Sequence, residues 1–546
     1  MIKEILEKIL NTLEKCCEKT HQNHKSDYQI RRQLFDILSK NNPNNIKEYD
    51  ISVLNEDKQD DFRQQDELFP RNEKWYLVCN KEDSKTDTLL LCDKIKDIPC
   101  NVIFNNCNID LRIDESKGMK KDNTETIKNC LYFYNCAFEK SLNLKNIIFE
   151  KTLTFNQCVF YNNLEIHQNQ FLDHLVFINC HDNQDKKITS LDLQENEFKG
   201  YFFIKNCAIE KINLWKNKFK NRCYFMDSVF GNKNNDNIKL NFSNAHFEDN
   251  AYFNNSEFYN YADFHECEFD DIACFYGVKF HKIPNFSQVV LKGNFNALNI
   301  TSNFVFDDLK KQIKQEYENF NKDIKEKQNK KPLDKFANDF RDSFRIFKNA
   351  LIKDNNLLDA SNFHKYELYC KEIELKNKKG KTFKDVVDRW QLLFYRKLCD
   401  HHTNLILNLK WFIVIVGFFT SILFGLRYGD GNLMQFFNKD SDLLKMLKNI
   451  LNIKALNDSN ATYLILLYSF IGLFFVRTFF IFYYLVIFIL MLAISPYNLF
   501  SMINFAIRHE TNSFLENIII IIYTLSIVLI IFSLQKTARK NSIVPS

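Results

Sequence analysis

Glycine and proline are scarce in this sequence of 546 residues, which has 11 Gly and 7 Pro. Linker-rich and disordered chains are rich in these residues, so their scarcity excludes both classes for the chain as a whole. Net charge is also small, because 73 Lys and Arg face 68 Asp and Glu, a surplus of five. This balance gives no reason to expect nucleic acid as a partner.

The familiar catalytic motifs are missing as well. The sequence has no glycine loop that would cradle a phosphate, no standard zinc spacing and no nucleophile motif. We therefore predict a non-enzymatic protein without cofactors, and we assign no catalytic, cofactor-binding or metal-ligating residue. Residues 1–10 form an amphipathic pattern with charges throughout, so we do not expect a secretory signal there.

Phenylalanine, by contrast, is abundant, with 54 residues, and its spacing is regular. Large apolar residues recur at alternating steps of five and six along one stretch: Phe242, Phe247, Phe253, Phe258, Phe264, Phe269, Phe275, Phe280, Phe286 and Leu291. A mostly small residue lies two positions before most of them: Ala245, Ala251, Ser256, Ala262, Cys267, Ala273, Val278 and Val289. Neither a helix nor a single strand has this period. It indicates a solenoid, whose units bury their apolar faces by stacking on one another.

This pattern of a small residue, any residue and then Phe or Leu resembles the pentapeptide-repeat family. The resemblance implies a right-handed quadrilateral β-helix with both kinds of residue pointing inward. Because the steps alternate between five and six, we expect coils of 22 residues, wider than the family's usual 20. The β-solenoid is predicted over residues 99–300, with loops ejected at 112–129, 181–187 and 231–239.

Three of the 16 cysteines, Cys136, Cys158 and Cys180, are 22 residues apart, and the first two each precede an inward Phe by two positions. We expect them to stack in one column as small reduced core residues, because side chains in a column have poor geometry for disulfides. A metal ladder is the alternative. Another group, formed by Cys16, Cys17, His21 and His24, fits a helix face better than a zinc site.

The stretch from Leu240 to Val278 carries eight acidic residues and no Lys or Arg. They include Glu248, Asp249, Glu266, Glu268, Asp270 and Asp271. Some soluble pentapeptide-repeat proteins mimic duplex DNA, so mimicry of DNA is one hypothesis. A solvated acidic face is the simpler interpretation, because Lys-rich segments precede this stretch.

Two regions of mixed character flank the predicted solenoid. Residues 1–98 are predicted to form an α+β cap, with short strands at 75–79 and 88–92. Residues 301–403 are predicted to form a helical hairpin and then a juxtamembrane helix. The hairpin resembles the one that separates repeats from membrane helices in bacterial pentapeptide-repeat membrane proteins. Its stripe of Phe336, Phe340, Phe344 and Phe347 indicates core packing, with a peptide groove as the alternative.

Basic residues gather between 376 and 397, beside an amphipathic pattern of Trp390, Leu393, Phe394 and Leu398. This combination is typical of a helix on a membrane surface. Residues 399–402, Cys-Asp-His-His, follow directly. We interpret them as interfacial residues, with a metal site as the alternative.

The remaining chain is strongly apolar. Residues 404–536 are predicted to contain about four transmembrane helices, at 411–426, 461–476, 478–496 and 514–534, before a short basic tail at 537–546. Arg477 is expected to anchor the turn between the middle two helices. Because both flanks are basic, both termini and the solenoid are predicted on the cytoplasmic side of a bacterial inner membrane.

Together these features predict a membrane-anchored pentapeptide-repeat protein that presents a cytoplasmic solenoid for protein–protein interaction or scaffolding. The predicted partners are the lipid bilayer and a protein bound to the solenoid or the hairpin, with a homo-oligomer left open. The alternative is a channel-like protein with a cytoplasmic regulatory solenoid. Residues 428–430, Tyr-Gly-Asp, echo part of a potassium filter.

Overall fold

A computed structural model describes residues 26–40, 42–43, 46, 49–80, 88–91, 93–111, 125–180, 188–322, 330–428, 485 and 514–539. The chain forms two compact units, Met1–Asn356 and Leu357–Ser546. The first is dominated by β-strands and the second by α-helices.

The described part of the first unit begins with helical residues 26–40 (α1) and then carries short strands, interrupted by the helix α2 (Glu56–Gln65) and a 3-10 turn at Asp93–Asp97. The described strands, in chain order, are β1 (Tyr49–Val53), β2 (Trp75–Asn80), β3 (Thr88–Leu91), β4 (Asn101–Asn105), β5 (Asn108–Leu111), β6 (Glu125–Ile127), β7 (Leu131–Tyr134), β8 (Ala137–Phe138), β9 (Leu142–Lys145), β10 (Ile147–Phe149), β11 (Leu153–Asn156), β12 (Val159–His167), β13 (Gln170–Phe171), β14 (Leu175–Ile178), β15 (Ile188–Gln194), β16 (Glu197–Phe198), β17 (Phe202–Lys205), β18 (Ala208–Asn213), β19 (Lys218–Phe219), β20 (Cys223–Met226), β21 (Val229–Phe230), β22 (Lys239–Asn241), β23 (His246–Phe247), β24 (Ala251–Tyr252), β25 (Glu257–Phe258), β26 (Tyr261–Asp263), β27 (Glu268–Phe269), β28 (Ala273–Cys274), β29 (Lys279–Phe280), β30 (Val290–Leu291) and β31 (Phe295–Asn296).

These strands form three sheets, which the chain visits in turn. Sheet A has the order β1-β2-β4-β7-β11-β14-β17-β20-β24-β28-β31, and sheet C the order β30-β27-β23-β19-β16-β13-β10-β6. Sheet B has the order β29-β25-β21-β18-β15-β12-β8-β5-β3, with β9, β22 and β26 paired beside it. Apart from β1, which is antiparallel to β2, the strand pairs are parallel. Short connections carry the chain from one sheet to the next.

The pairing register follows the sequence spacing. Phe247 lies opposite Phe269, and Glu257 lies opposite Lys279, each pair 22 residues apart. Strands on either side of the polar inserts still pair, since Phe104 lies opposite Phe133. Parallel pairing starts at Trp75, earlier in the chain than the expected boundary at residue 99.

Aromatic rings stack along the sheets at the predicted inward positions. Phe247 stacks on Phe269 with ring centroids 4.8 Å apart, and Phe253 on Phe275 at 4.5 Å. Two further stacks consist of Phe230, Phe258 and Phe280, and of Phe242, Phe264 and Phe286. These rings are buried, and Leu291, at the end of the pattern, is partly buried. The core of the first unit is therefore a set of aligned rings, held by the repeated register.

Residues in the left-handed region of φ recur at regular intervals, mostly immediately before buried residues. One series lies immediately before Cys107, Cys136 and the equivalent residues later in the chain. It consists of Asn106, Asn135, Gln157, Asn179, Asn206, Asp227 and Asn255. A second series is Asn146, Gln168, Glu195, Lys216, Asn244, Glu266 and Gln288. Their φ angles lie between 51° and 59°. Asn tolerates this conformation better than most residues, which explains its frequency at these turns.

Two helices complete the first unit. In α3 (Phe306–Asn321) Leu309 and Ile313 are buried, whereas Phe320 is exposed. The Phe stripe of α4 (Leu333–Lys353) is buried, and the ring of Phe347 packs on that of Phe286 at 4.9 Å. This stripe therefore covers the last strands as core packing, and two of its members, Phe336 and Phe340, also line a cleft beside sheet B.

The second unit consists of α5 (Leu357–Asn377), α6 (Phe383–Cys399), α7 (Leu405–Tyr428) and α8 (Phe514–Ala538). The predicted spans 411–426 and 514–534 fall within α7 and α8. The spans predicted at 461–476 and 478–496 lie outside the described residues, apart from residue 485. The helices α4 and α5 of the predicted hairpin are both present and belong to different units.

Helices α7 and α8 pack against each other in antiparallel directions. Asn408, near the start of α7, donates a hydrogen bond of 2.8 Å to the hydroxyl of Ser533, near the end of α8. Farther along, the ring of Phe419 lies 5.2 Å from that of Tyr523. Within the described part of the chain, one helical stretch, Asn517–Ala538, is long and apolar enough to cross a membrane, and Leu405–Phe419 is a shorter apolar stretch.

Candidate functional sites

The cysteine column predicted from the sequence is present in the first unit. Cys136, Cys158 and Cys180 are fully buried and are not in disulfides, and each thiol donates to a backbone carbonyl, that of Cys158 to Phe133 O at 3.3 Å. Burial raises the pKa of the Cys158 thiol well above its ordinary value. Neutral, hydrogen-bonded thiols make poor metal ligands and poor nucleophiles, so this column serves packing.

The first unit also contains a column of buried asparagines, which the sequence patterns do not predict. Asn169, Asn196 and Asn217 are buried one above the other, and the amide of Asn196 donates to Asn217 Oδ1 at 3.0 Å and to the carbonyl of Ile166 at 2.7 Å. Each amide thus bonds along the column and satisfies a backbone group. The sequence offers one signal for this column, because each asparagine lies two residues before an inward phenylalanine.

The acidic stretch is not a free acidic surface. Lys292 Nζ lies 2.8 Å from Asp270 and Lys279 Nζ 2.8 Å from Glu257, although both lysines come later in the sequence. His246, Glu268 and Asp270 could together supply three metal ligands. Lys292 already lies against both carboxylates and, with His246, lowers the pKa of Asp270. This group is therefore an ion-pair network on sheet C.

A cleft of about 740 Å³ lies between the β22–β26 edge of sheet B and helices α3 and α4. Its floor is Asp263, which is 6% exposed, accepts a hydrogen bond of 2.9 Å from the Asn285 amide and pairs with Lys239 at 2.6 Å. The ring of Tyr261 contacts Phe340 on one wall. We call this space the sheet–helix cleft.

One carboxyl group in the sheet–helix cleft has a displaced pKa. Burial, reinforced by the charge of Asp263, raises the pKa of Glu316 from 4.5 to about 7, and Lys239 and Lys282 oppose the rise only in part. Near neutral pH this group can therefore donate a hydrogen bond in its protonated form. The cleft combines hydrogen-bonding groups with aromatic walls, which include the exposed ring of Phe320.

Helix α6 exposes an apolar stripe in the second unit. The stripe consists of Phe383, Val386, Val387, Trp390 and Phe394, at spacings of three and four residues, and exposure reaches 85% at Phe383 and 65% at Trp390. We call it the α6 stripe. The sequence prediction of Trp390 and Phe394 on one face is confirmed, whereas Leu398 is buried against α8.

The start of α6 is held by a capping box. The Thr382 hydroxyl accepts from the backbone N–H of Asp385 at 3.2 Å, and the Asp385 carboxylate accepts from the backbone N–H of Thr382 at 2.9 Å. These bonds, together with Lys378, lower the pKa of Asp385 to about 2. The helix therefore begins at a defined residue even though its apolar face is unpacked.

The segment from Cys399 to His402 folds into a tight turn between α6 and α7. Asp400, His401 and His402 all have left-handed φ angles, of 51°, 54° and 68°. The Cys399 sulfur lies 3.5 Å from His402 Nδ1, which is also within 3.3 Å of the Ser533 hydroxyl. Among the described residues no third metal-ligating side chain joins Cys399 and His402. The arrangement therefore gives no support to the alternative of a metal site among the described residues, and the interfacial interpretation stays a prediction.

Several sequence hypotheses concern residues that the structure does not describe. These are the cluster of Cys16, Cys17, His21 and His24, the turn anchor Arg477, and the filter-like segment beyond Tyr428.

Comparison of the chain with models of protein families, with curated proteins and with solved structures finds no match to any of them. The candidate sites must accordingly be interpreted from their own geometry.

The sheet–helix cleft was not found by sequence reasoning. Asp263 lies within the acidic stretch of the sequence, whereas no sequence pattern distinguishes Glu316. They meet because α3 folds back over strands some fifty residues earlier in the chain. No local pattern in the sequence carries that information.

Proposed function

We propose that this chain is a non-enzymatic, membrane-anchored protein that presents a pentapeptide-repeat β-helix to the cytoplasm for binding other proteins. The observation that carries the proposal is the apolar surface of the second unit. Besides the α6 stripe, α8 exposes Ile521 (60%), Leu525 (61%) and Phe532 (64%). Water-soluble surfaces rarely carry contiguous apolar patches of this kind, whereas a bilayer solvates them favourably.

Three features support a closed β-helix for the first unit. The chain visits the parallel sheets in turn, the register advances by 22 residues in the later strands, and the aligned rings form four stacks. Four stacks match the four sides of a quadrilateral coil. Strands on either side of the polar inserts keep their pairing with neighbouring strands, as they would if the inserts were loops at the corners of the coil.

The direction of the helices supports a cytoplasmic position for the first unit. Because α7 and α8 are antiparallel, the start of α7 and the end of α8 lie at the same end of the helix pair. The start of α7 follows the basic residues 376–397, and the end of α8 carries Lys536 and is followed by Arg539. Positive flanks stay on the cytoplasmic side of a membrane.

The sheet–helix cleft is the part of the first unit best suited to receive a protein segment. It is concave, and Glu316, Asn285 and Tyr261 offer hydrogen bonds beside the exposed ring of Phe320. The absence of a recognisable catalytic motif in the sequence agrees with binding as its role.

Anchoring is tested by washing membranes that contain the full-length protein with alkaline carbonate. We expect the protein to remain in the membrane pellet, and its release would contradict the anchor. Trypsin then reports the topology, because the segment 376–381 carries four lysines. We expect cleavage there in inside-out vesicles and protection in right-side-out vesicles.

Partner binding is tested with a photo-crosslinking residue at Phe320 in the full-length protein. The matched control carries it at Tyr161, which is similarly exposed, at 55% against 54%, but lies outside the cleft. We expect defined protein adducts at Phe320 only. The same adducts at both positions, or none at Phe320, would count against the cleft as the recognition surface.

A further inference from the structure

A second cavity, of about 480 Å³, lies within the helical unit. Its polar lining includes His364, Lys371, Asp388, His401 and Lys536, and its apolar lining includes Leu368, Leu529 and Phe532. Leu529 and Phe532 belong to the exposed apolar surface of α8, and Lys536 follows one turn later. The cavity therefore lies where the apolar part of α8 passes into its basic end. In the proposed anchor this is the depth of the lipid headgroups.

His401 brings a buried polar atom without a hydrogen-bond partner to this cavity. Its side chain is 2% exposed, and its Nε2 atom has no hydrogen bond within the described part of the chain. The surroundings keep the ring neutral, since burial and then Arg396, His364, His402 and Lys365 lower the pKa of His401 to about 3. A buried unpaired polar atom costs about 1–3 kcal/mol unless a ligand or water satisfies it.

The backbone around His401 is also strained. Three consecutive residues in the left-handed region cost of the order of 1–3 kcal/mol each, and such strain collects at functional sites. The turn is held by the Tyr369 hydroxyl, which donates to the Asp400 carboxylate, and by the Lys365–Asp400 ion pair at 3.6 Å. These contacts keep His401 at the cavity wall.

The charged groups of the cavity are of both signs. Lys371 is paired with Glu374 at 2.8 Å, and His364 Nδ1 lies 3.4 Å from the Glu367 carboxylate. Among the described residues, neither Lys536 nor Asp388 has an oppositely charged partner. Among the described lining residues, the cavity therefore offers a cation, Lys536, and a carboxylate, Asp388, without ion-pair partners, together with the unpaired Nε2 atom of His401 and an apolar wall. A group that carries phosphate, ammonium and hydrocarbon together complements all four.

We propose that this cavity binds the phosphoethanolamine headgroup of an aminophospholipid, with the phosphate against Lys536 and His401 and the ammonium against Asp388. The lipid's acyl chains would lie along Leu529 and Phe532. This inference rests on the proposed membrane anchor and specifies which lipid the anchor selects.

The experiment uses full-length protein in detergent and titrates short-chain phosphatidylethanolamine, phosphatidylglycerol, phosphatidylcholine and water-soluble phosphoethanolamine by calorimetry. We expect phosphatidylethanolamine to bind most tightly. Lys536→Gln, on an exposed side chain that should not affect folding, should weaken its binding by about tenfold or more, because a charge-assisted hydrogen bond is lost. Lys379→Gln, which removes a cation outside the cavity, should have no effect.

Asp388→Asn tests recognition of the ammonium end of the headgroup independently of the phosphate end. This substitution should weaken the binding of phosphatidylethanolamine and leave the binding of phosphatidylglycerol unchanged, since only phosphatidylethanolamine carries an ammonium. Equal affinity for all three lipids, or an unchanged affinity in Lys536→Gln, would overturn the inference. Free phosphoethanolamine binding as tightly as the lipid would also overturn it, in favour of a soluble ligand. If the protein resists carbonate but binds no headgroup, the cavity assignment fails and the anchor stands.

Discussion

The aligned rings of the first unit make a quantitative prediction about Phe253. Its side chain is fully buried and stacks between Phe225, at 4.6 Å, and Phe275, at 4.5 Å. The ring also meets Phe264 edge-on at 5.6 Å and lies near Phe242 at 6.1 Å. Replacing Phe253 by Ala removes a ring that other rings contact on both faces and at the edge.

The cost follows from the contacts that are lost. A buried Phe→Ala substitution costs about 3–5 kcal/mol, and stacked rings above and below place Phe253 near the upper end of that range. Phe253→Leu keeps most of the volume and should cost about 1.5 kcal/mol, plus a smaller contribution from lost stacking. Phe320→Ala, at a ring that is 54% exposed, should change stability by about 0.5 kcal/mol or less.

Hydrogen exchange of the full-length protein measures these differences strand by strand. A loss of about 4 kcal/mol raises the opening equilibrium roughly a thousandfold, so amides of β20, β24 and β28 should exchange correspondingly faster in Phe253→Ala. The increase in exchange rate should be largest for Phe253→Ala, smaller for Phe253→Leu and smallest for the control Phe320→Ala. If Phe253→Ala retained wild-type protection in these strands, the ring stack would not be what holds them together.

Three other substitutions test separate features of the structure. A Cβ at Gly200 would overlap the backbone carbonyl group of Asp173, so Gly200→Ala should lower the thermal midpoint of unfolding. The control Gly380→Ala should lower it less, because its only cost is a φ of +67°, about 1–2 kcal/mol. Equal shifts of the midpoint would contradict the close approach at Gly200. Since the pKa of Glu316 is about 7 when folded and 4.5 ordinarily, the folded state holds an extra proton between these values and loses about 3 kcal/mol of stability as pH rises through them. Glu316→Gln should therefore raise stability at pH 8 but not at pH 4, and denaturant unfolding that keeps the wild-type pH slope would refute this. Finally, brominated lipids should quench tryptophan fluorescence less in Trp390→Phe than in the wild type, and identical quenching would show that the α6 stripe does not touch the bilayer.

Much of the first unit was predictable because its information is local and repeated. The alternation of five and six residues sets which side chains point inward, and the burial of Phe242, Phe264 and Phe286 follows from it. The spacing of 22 residues also predicts the register, since each strand pairs with the equivalent strand one period later. The Phe stripe of α4 has the helical period and is buried accordingly.

The candidate sites were less predictable, because they depend on pairings between distant segments. The residues from Leu240 to Val278 lack Lys and Arg, yet Lys279, Lys292 and Lys239 reach their carboxylates from neighbouring strands. A linear count of charge cannot detect this, since parallel pairing brings residues 22 positions apart into contact. Glu316 acquires its raised pKa in the same way, from burial that arises when α3 packs on sheet B.

The sequence by itself determined the class of each region: stacked β-strands with aligned phenylalanines, amphipathic helices, and apolar helices with basic ends. These properties depend on periodicity and composition, which each segment carries alone. Tertiary structure alone decided the sheet–helix cleft, the strained turn at His401 and the cavity beside Lys536. Each of these combines groups from elements far apart in the chain, and burial, pairing and pKa arise only when those elements pack together.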